Sequence, residues 1–327
     1  MADQRNQVNI PANLVPKVWA KKVWHEGVKD SYFDKFTAMD GSNVVHQNKD
    51  LTNVKGDSVV FGLMMNLTGS GVEGNRQKLS GAEDTLNIYD FTVQTQLVRN
   101  AVSRFEADDQ KSQYDMLKEI KVVLKQWLSD WLDNKLISKL SYNPSIGEVL
   151  YASAAGTQSS ITANDKLTTT IISRAKRKAM MHAPKVQPIK VDGMDKYIML
   201  VSPWAARDLK DDPKWLAAQQ NANVRGSKNP IFTGALGEYD GVILYEYERV
   251  QTGSIGAASA NVCQNLLLGK QAACFAVARP AKHIEQTDDY GNIAGNGIAF
   301  YGAVEKTKFN GADYGIINVM TGGVVER

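Results

Sequence analysis

The sequence predicts an α+β fold, and three stretches carry that prediction. Residues 110–140 place apolar side chains at helical spacing over several turns. Residues 55–102 alternate apolar and polar side chains, as a long β-ribbon does. From residue 191 onward, short apolar strands are interspersed with two short helices. No internal repeat and no linker divides the chain, so we do not expect a string of independent domains.

The bulk composition excludes several classes of protein. A chain of 327 residues with 43% hydrophobic and 22% charged residues can bury a core in about two lobes. Its 38 basic and 35 acidic residues leave a net charge of +3, which disfavours a dedicated nucleic-acid binder. No apolar run approaches about 18 residues and no secretory signal opens the chain, so we expect no membrane partner. Cys263 and Cys274 fit neither a disulfide framework nor a zinc pair.

Residues 1–30 predict an extended arm. Two prolines punctuate it, and Trp19 and Trp24 fall near helical spacing beside several lysines. A piece this short has no core of its own, so its tryptophans must pack on something else. We therefore expect Trp19 and Trp24 to contact either the body of the chain or a neighbouring subunit.

Residues 57–67 and 85–98 predict the two strands of the ribbon. Such a ribbon is longer than most strands and only marginally stable alone, so it needs a surface to lie on. Nothing nearby in the sequence supplies one. The apolar side chains predicted to share one face are Val59, Phe61, Leu63, Met65 and Leu67 on the outgoing strand, with Tyr89, Phe91, Val93 and Leu97 on the return.

The tip of the ribbon is rich in glycine, and it allows two interpretations. Gly69, Gly71 and Gly74 match the G-x-G-x-x-G pattern of dinucleotide sites. That pattern holds a pyrophosphate only where it opens a helix, whereas a strand is expected to follow here. We therefore favour a flexible tip that contacts another subunit, with Arg76 and Lys78 also in contact, over a nucleotide-binding enzyme.

The helix over residues 110–140 is predicted to be the spine of the fold. Two aspartates precede it, and Asn143-Pro144 ends it. After Asn134 the apolar stripe drifts around the cylinder, which predicts either a kink or a second buried face. The residues expected to form its core are Leu117, Ile120, Leu124, Trp127 and Trp131.

The second half of the chain carries several local signals. Thr162 and Asp165 have the spacing of a capping box, which predicts a helix from there to about His182. Its cluster of cations at residues 174–178 could contact phosphate, although a solvated helix face is the favoured interpretation. Further strands are predicted at residues 197–201, 241–250, 262–269, 274–278, 297–308 and 314–320, the last two turning at Asn310-Gly311, and helices after Ser202-Pro203 and from Pro213 to Ala222.

No motif for catalysis or metal binding emerges. The sequence lacks the metalloprotease, phosphate-loop, nucleophile-elbow and Cys-pair patterns, and its four histidines are scattered. We therefore expect no catalytic residues, no metal site and no cofactor, and a protein that is not an enzyme. The arm, the ribbon and the long helix all require neighbours, which indicates an assembly protein.

The order of the elements, together with a series of short motifs, carries a family resemblance. The chain is similar to the major capsid proteins of tailed phages with the Hong-Kong-type fold, and most closely to their podovirus-related branch. Coverage extends over most of residues 30–320. The matching stretches are 61–63, 71–74 and 79–83, then Tyr197 to Pro203 (YIMLVSP) with Asp208-Leu209, then 234–237, 239–242, 268–269 with Ala272, and Gly302 to Tyr314 (GAVEKTKFNGADY).

The resemblance implies four parts. Residues 1–50 would form the N-terminal arm, and residues 55–102 an extended ribbon, the E-loop. Residues 103–190, with the returning strands 297–327, would form a peripheral domain around the spine helix. Residues 191–296 would form an axial α/β domain whose tips meet at fivefold and sixfold positions.

The resemblance also implies the partners. The chain would assemble with itself into hexamers and pentamers of an icosahedral shell enclosing double-stranded DNA, which it would contact without sequence specificity. A portal, a separate scaffolding protein and decoration proteins are further expected partners, and assembly would take place in the cytoplasm of a host bacterium. An encapsulin shell holding a cargo protein is the alternative with the same fold.

Overall fold

The computed structural model describes residues 31–52, 56–64, 67, 69, 71–74, 80, 83–86, 88–111, 116–154, 156–191, 193–221 and 236–323. Five α-helices lie in these ranges, and the longest corresponds to the predicted spine. They are α1 (Glu106–Lys111), α2 (Met116–Ser141), α3 (Thr169–Met181), α4 (Pro203–Lys210) and α5 (Pro213–Asn221).

The described strands form a five-stranded sheet, an eight-stranded sheet and two small ribbons. The five-stranded sheet has the order β1 (Thr37–Ala38), β2 (Val45–Asn48), β13 (Ala273–Asp288), β14 (Ile293–Lys306) and β5 (Gln96–Phe105). The eight-stranded sheet has the order β6 (Val149–Tyr151), β17 (Ile316–Gly322), β12 (Val262–Leu268), β8 (Met194–Val201), β10 (Val242–Glu246) and β9 (Gly237–Tyr239), with β11 (Thr252–Gly253) on β12 and β7 (Ile189–Val191) on β8. The ribbons pair β3 (Ser58–Met64) with β4 (Ile88–Gln94), and β15 (Lys308–Phe309) with β16 (Ala312–Asp313).

Helix α2 packs across the five-stranded sheet as the predicted spine. Ile120 and Leu124 are buried in the main hydrophobic cluster, together with Ile298 and Phe300 of β14. The helix is continuous past Asn134, and the apolar residues that drift around it there are also buried. Of the two predicted alternatives, a kink or a second buried face, the structure therefore shows the second buried face. Trp127 and Trp131 lie at the edges of the buried face of the helix and are only half-buried against this cluster.

The return strand of the predicted ribbon is two strands rather than one. The backbone N–H and the hydroxyl of Thr95 both donate to the carbonyl of Asp57, at 2.8 Å each, and this closes the ribbon. Beyond Thr95 the chain joins the five-stranded sheet as β5, pairing with β14. The alternation predicted through Leu97 was therefore wrong, since Leu97 lies in another sheet and is exposed.

Strand β13 is three times longer than the predicted strand at 274–278. It pairs with β14 along its whole length as far as Asp288. Past residue 278 it is mostly polar on both faces, for example at His283 and Glu285, so hydrophobicity gave no signal. Backbone pairing with β14 holds it extended instead.

The eight-stranded sheet has a separate core. Helices α3 and α4 cover one face, where Ile172 and Leu209 are fully buried against Met199. Ser202 caps α4 as predicted, accepting a hydrogen bond from the N–H of Ala205 at 3.2 Å. The sheet includes β17, while β13 belongs to the other sheet, so both cores combine residues from either side of position 296. The division into peripheral and axial domains stays a prediction.

The helix expected at Thr162 begins instead at Thr169. Thr162 does bond to the carboxylate of Asp165, but the two close an isolated turn. The cap of α3 comes from Asp212, whose Oδ2 accepts from the N–H of Thr169 at 2.8 Å and from its hydroxyl at 2.9 Å. The other oxygen of Asp212 accepts from the N–H of Lys214 at 3.0 Å and so begins α5. One carboxylate therefore caps two helices.

Replacing Asp212 with alanine is expected to lower the free energy of unfolding by about 1–2 kcal/mol, because the alanine caps neither helix. Burial alone would raise the pKa of Asp212, but the bonds from Thr169 and Lys214 outweigh it and lower that pKa. The ionised carboxylate therefore stabilises the fold at neutral pH, and this contribution disappears as the pH falls through the folded-state pKa. Urea unfolding at neutral and acid pH measures both effects. The adjacent, exposed Asp211→Ala variant is the control, and an equal loss there would refute the capping role.

Four further predicted features can be compared with the described residues. No helix among them has the length and apolarity to span a membrane. Within the same ranges, no three His, Cys, Asp or Glu side chains are grouped as a metal site would require. The two cysteines are buried and form no disulfide, and the Sγ of Cys274 lies 3.2 Å from the hydroxyl of Thr307. Asn310 and Gly311, with φ of 51° and 77°, form the predicted turn between β15 and β16.

Candidate assembly surfaces

The ribbon β3–β4 has one face on its own chain and one face in solvent. Val59, Phe61 and Val93 are buried against Cys274 and Ala276 of β13. The ribbon therefore packs its apolar face on the five-stranded sheet, a surface that the sequence did not reveal. The opposite face exposes large apolar side chains in a row, and their exposed fractions are 60% for Val60, 64% for Met64 and 62% for Ile88.

The outer face of the ribbon has the chemistry of a protein-contact surface. Met64 and Ile88 are directly opposite each other across the ribbon, so their side chains lie side by side. Covering one such side chain stabilises a complex by about 1.5–3 kcal/mol. Leu67 and Leu86, nearer the tip, are also exposed, at 62% and 48%. Large apolar side chains exposed together, as Met64 and Ile88 are, indicate a site of protein contact.

The glycines of the tip adopt turn geometry. Gly71 and Gly74 have φ of +69° and +84°, where other side chains are strained, and no atom surrounds the position of a side chain at either. Gly69 donates its N–H to Asp84 on the return segment at 2.5 Å. Arg76 and Lys78 lie outside the described residues, and the next regular element is strand β4. The described glycines therefore form an exposed turn.

The arm enters the body beside the spine helix, at a residue that the sequence analysis missed. The carboxylate of Asp133 accepts from the hydroxyl of Ser31 at 2.5 Å and from the N–H of Tyr32 at 3.0 Å. Tyr32 stacks on Tyr247 with 4.2 Å between the ring centroids, and Phe33 beside it is buried. Burial raises the pKa of both tyrosines, and the charge of Asp133 adds to the rise. Trp19 and Trp24 lie outside the described residues.

Replacing Asp133 with asparagine is expected to lower the free energy of unfolding by about 1–3 kcal/mol. The amide keeps the size but removes the charge and one of the two acceptors that hold the arm. Denaturant unfolding measures the loss, and limited proteolysis near residue 31 measures release of the arm. Asp130→Asn, one turn away and half-exposed against Arg249, is the matched control. It should cost less than about 1 kcal/mol, and a cost equal to that of Asp133→Asn would contradict the assignment.

A buried ion pair joins the end of the spine helix to the closing hairpin β15–β16. The ammonium of Lys306 donates to Asp313 at 2.7 Å and to the carbonyls of Tyr142 and Asn143 at 2.8 and 3.0 Å. Asp313 also accepts from the N–H of Ser145 at 2.8 Å. Burial lowers the pKa of Lys306, and the bond to Asp313 opposes that change. The pair therefore holds the chain directly after the C-terminal end of the spine, at Tyr142 and Asn143.

A second buried pair lies close to the first. Glu148 is 1% exposed, and its Oε1 lies 3.2 Å from Nε2 of His182 at the end of α3. Burial raises the pKa of Glu148, and the nearby His182 partly opposes that rise. The ammonium of Lys178 donates to the carbonyl of Val149 at 2.6 Å. The Lys306–Asp313 ion pair and the contact between Glu148 and His182 therefore connect the end of the spine, α3 and the closing hairpin.

Of the five residues predicted for the spine core, two are buried as expected and three are only half-buried. Ile120 and Leu124 are buried, Trp127 and Trp131 are half-buried, and Leu117 is half-buried near the start of the helix. The core continues instead through Leu128, Leu132 and the drifted stripe.

Comparison with known proteins decides the identity. The family model described as phage capsid protein matches residues 12–325. The chain belongs to the phage capsid protein family. The major capsid protein of Pseudomonas phage KPP25 is 26% identical over 92% of this chain and 93% of its own length. The predicted role of a phage capsid subunit, and with it a place in the capsid of a virion, is therefore confirmed.

Solved structures confirm the predicted Hong-Kong-type fold. The capsid of Ralstonia phage GP4 matches 91% of this capsid protein and 93% of its own chain, with a TM-score of 0.82 and 26% identity. The capsid of cyanophage Pam1 matches 91% of the chain and 94% of its own, with a TM-score of 0.81 and 22% identity.

The two alternative functions have less support. An encapsulin of Synechococcus elongatus PCC 7942 shares only the fold, with a TM-score of 0.52 and 10% identity. The match to the capsid family over nearly the whole chain also favours a capsid role over a nucleotide-binding enzyme.

Proposed function

We propose that this chain is the major capsid protein of a tailed phage. It self-assembles into hexamers and pentamers of an icosahedral shell that encloses a double-stranded DNA genome. The observation that carries the proposal is the row of exposed apolar side chains on the outer face of the ribbon, in a member of the phage capsid protein family. An isolated subunit gains nothing from that row, whereas a neighbouring subunit covers it.

The proposal assigns the parts of the chain as follows. Residues 1–50 form the arm and residues 55–102 the E-loop, with Gly69, Gly71, Gly74, Arg76 and Lys78 in contact with a neighbour at its tip. Trp19 and Trp24 anchor the arm on an adjacent subunit. Residues 103–190 and 297–327 form the peripheral domain, and residues 191–296 the axial domain at the symmetry axes.

The subunit acts without enzymatic chemistry and without a cofactor. The net charge of +3 suits a shell that encloses DNA without binding it tightly, because tight binding requires many cations facing phosphates. Assembly takes place in the cytoplasm of the host bacterium, with a portal and a separate scaffolding protein, and decoration proteins bind the finished shell.

An encapsulin compartment is the second candidate, and its one support is the shared fold. The contents of purified particles distinguish the two. Particles from infected cells that contain DNA support the phage capsid, and nuclease treatment before extraction is the control that removes adhering DNA. Particles that contain a single cargo protein and no DNA would overturn the proposal in favour of the compartment.

A further inference from the structure

The five-stranded sheet has a second face that the spine helix does not cover. Ile298 and Phe300 of β14 face the helix, so the alternate residues between them and beyond lie on the opposite face. On that outer face, the chain's own ribbon covers only one end, around Ala276 and Ala303. None of the hydrophobic clusters of the described residues covers the rest of the face, from Tyr301 to Ile293.

The open part of this face is a groove of about 500 Å³ with a floor of small residues. Adjacent strands place Ala101 beside Gly297, and Arg99 beside Ala299. Ile284 forms one wall and is 44% exposed. A small-residue floor between larger walls leaves room for an inserted side chain.

One end of the groove is cationic. Strand pairing places Lys282, Ala299 and Arg99 in one row, and Arg279 in the next row beside Tyr301. All three cations are exposed, and none has an ion-pair partner among the residues that the structure describes. A partner with carboxylates would neutralise them.

The other end of the same face is acidic and aromatic. Asp288 lies there in one row with Ile293 and Phe105, and Phe105 is 52% exposed. The hairpin then turns through Asp289 and Tyr290, with φ of +50° and +51°. Such turns favour Asn-Gly, because other side chains are strained at positive φ. Tyr290 is nevertheless a large residue, and it is fully exposed. Strain held at an exposed aromatic residue favours a contact outside the subunit.

The two ends cannot neutralise each other within one chain. Lys282 and Asp288 are six residues apart on an extended strand, which separates them by about 20 Å. A second copy of the chain offers the complementary end, and head-to-tail contacts of this kind build rings and shells.

We propose that the outer face of this sheet is a head-to-tail interface between two copies of the chain. The hairpin tip of one copy docks in the groove of the next, with the ring of Tyr290 on the small-residue floor. Asp288 and Asp289 then face Lys282, Arg99 and Arg279. This inference rests on the proposed self-assembly and names a surface that serves it, apart from the ribbon.

Charge reversal at each end tests the pairing. The first variant, Asp288→Lys with Asp289→Lys, and the second, Arg279→Glu with Lys282→Glu, each place like charges together. Each is expected to raise the concentration required for association by at least about tenfold, since such contacts cost several kcal/mol. Sedimentation velocity measures association whether or not shells close. An equimolar mixture of the two variants, and the variant that carries all four changes, should both recover association.

Circular dichroism and thermal unfolding of the separated subunits show which variants are folded, and only those are compared. A third variant, Tyr290→Gly, relieves the strain and removes the ring, so the subunit should unfold at the same or a higher temperature while association weakens. Reversal variants that associate like the wild type would overturn the interface. Weakened variants that do not recover on mixing would overturn it too, and would assign the cationic end to another occupant such as the ribbon. Wild-type protein that associates without closing shells would contradict the proposed function alone.

Discussion

Replacing Lys306 with methionine is expected to lower the free energy of unfolding of the subunit by about 3–5 kcal/mol. The change removes the close cation of the Asp313 carboxylate, which is only 3% exposed, and leaves it the longer contact with Lys308 at 4.0 Å. It also removes the donor from the carbonyls of Tyr142 and Asn143 at the end of the spine. Denaturant unfolding of dissociated subunits measures the loss.

Two controls separate the burial of charge from the loss of a contact. The double variant Lys306→Met, Asp313→Leu leaves no unpaired charge and should recover much of the lost stability. Lys139→Met breaks the more exposed pair with Glu305 and should cost less than about 1 kcal/mol. If Lys306→Met unfolds within about 1 kcal/mol of the wild type, the ion pair does not hold the spine to the hairpin.

Replacing Met64 and Ile88 with aspartate is expected to abolish shell formation while the subunit stays folded. Both side chains are more than 60% exposed, so the two changes, including the repulsion between the facing carboxylates, should lower the free energy of unfolding by no more than about 1–2 kcal/mol. In a shell, the same positions would be covered by a neighbour, and an unpaired carboxylate buried there is costly. Because every subunit carries the change, each contact of this kind in the shell is weakened. Electron microscopy and sedimentation of the purified variant measure the outcome.

The matched control keeps the apolar character of the same positions. Met64→Leu with Ile88→Val should form shells at a concentration close to that of the wild type. Normal shells from the aspartate variant would remove the outer face of the ribbon from the assembly interface, although the family assignment would stand.

The ribbon shows how far periodicity could predict the fold. Alternation correctly divided β3 and β4 into two faces, and it placed Val59, Phe61 and Val93 together. It could not show that this face lies on β13 of the same chain, because the two segments are about 200 residues apart. The face that remains exposed carries Val60, Met64 and Ile88 among polar residues, so its apolar character was hidden by the alternation.

The polar anchors could not be predicted from local sequence. Asp133, Asp212 and Asp313 each bind backbone or side-chain groups that are distant in the chain, at separations of 102, 43 and 168 residues for Ser31, Thr169 and Ser145. Each appears in the sequence as an ordinary acid in a helix or loop. Thr162 and Asp165, by contrast, have the correct spacing for a capping box, but they form only a turn. The helix begins seven residues later, at Thr169, where Asp212 caps it.

The most direct test of the account is electron microscopy of the purified, untagged protein. We expect closed icosahedral shells built from five- and six-membered rings, with the outer face of each ribbon covered by a neighbouring subunit. A protein that stays strictly monomeric at every concentration, also when expressed with the other head proteins of its phage, would contradict it.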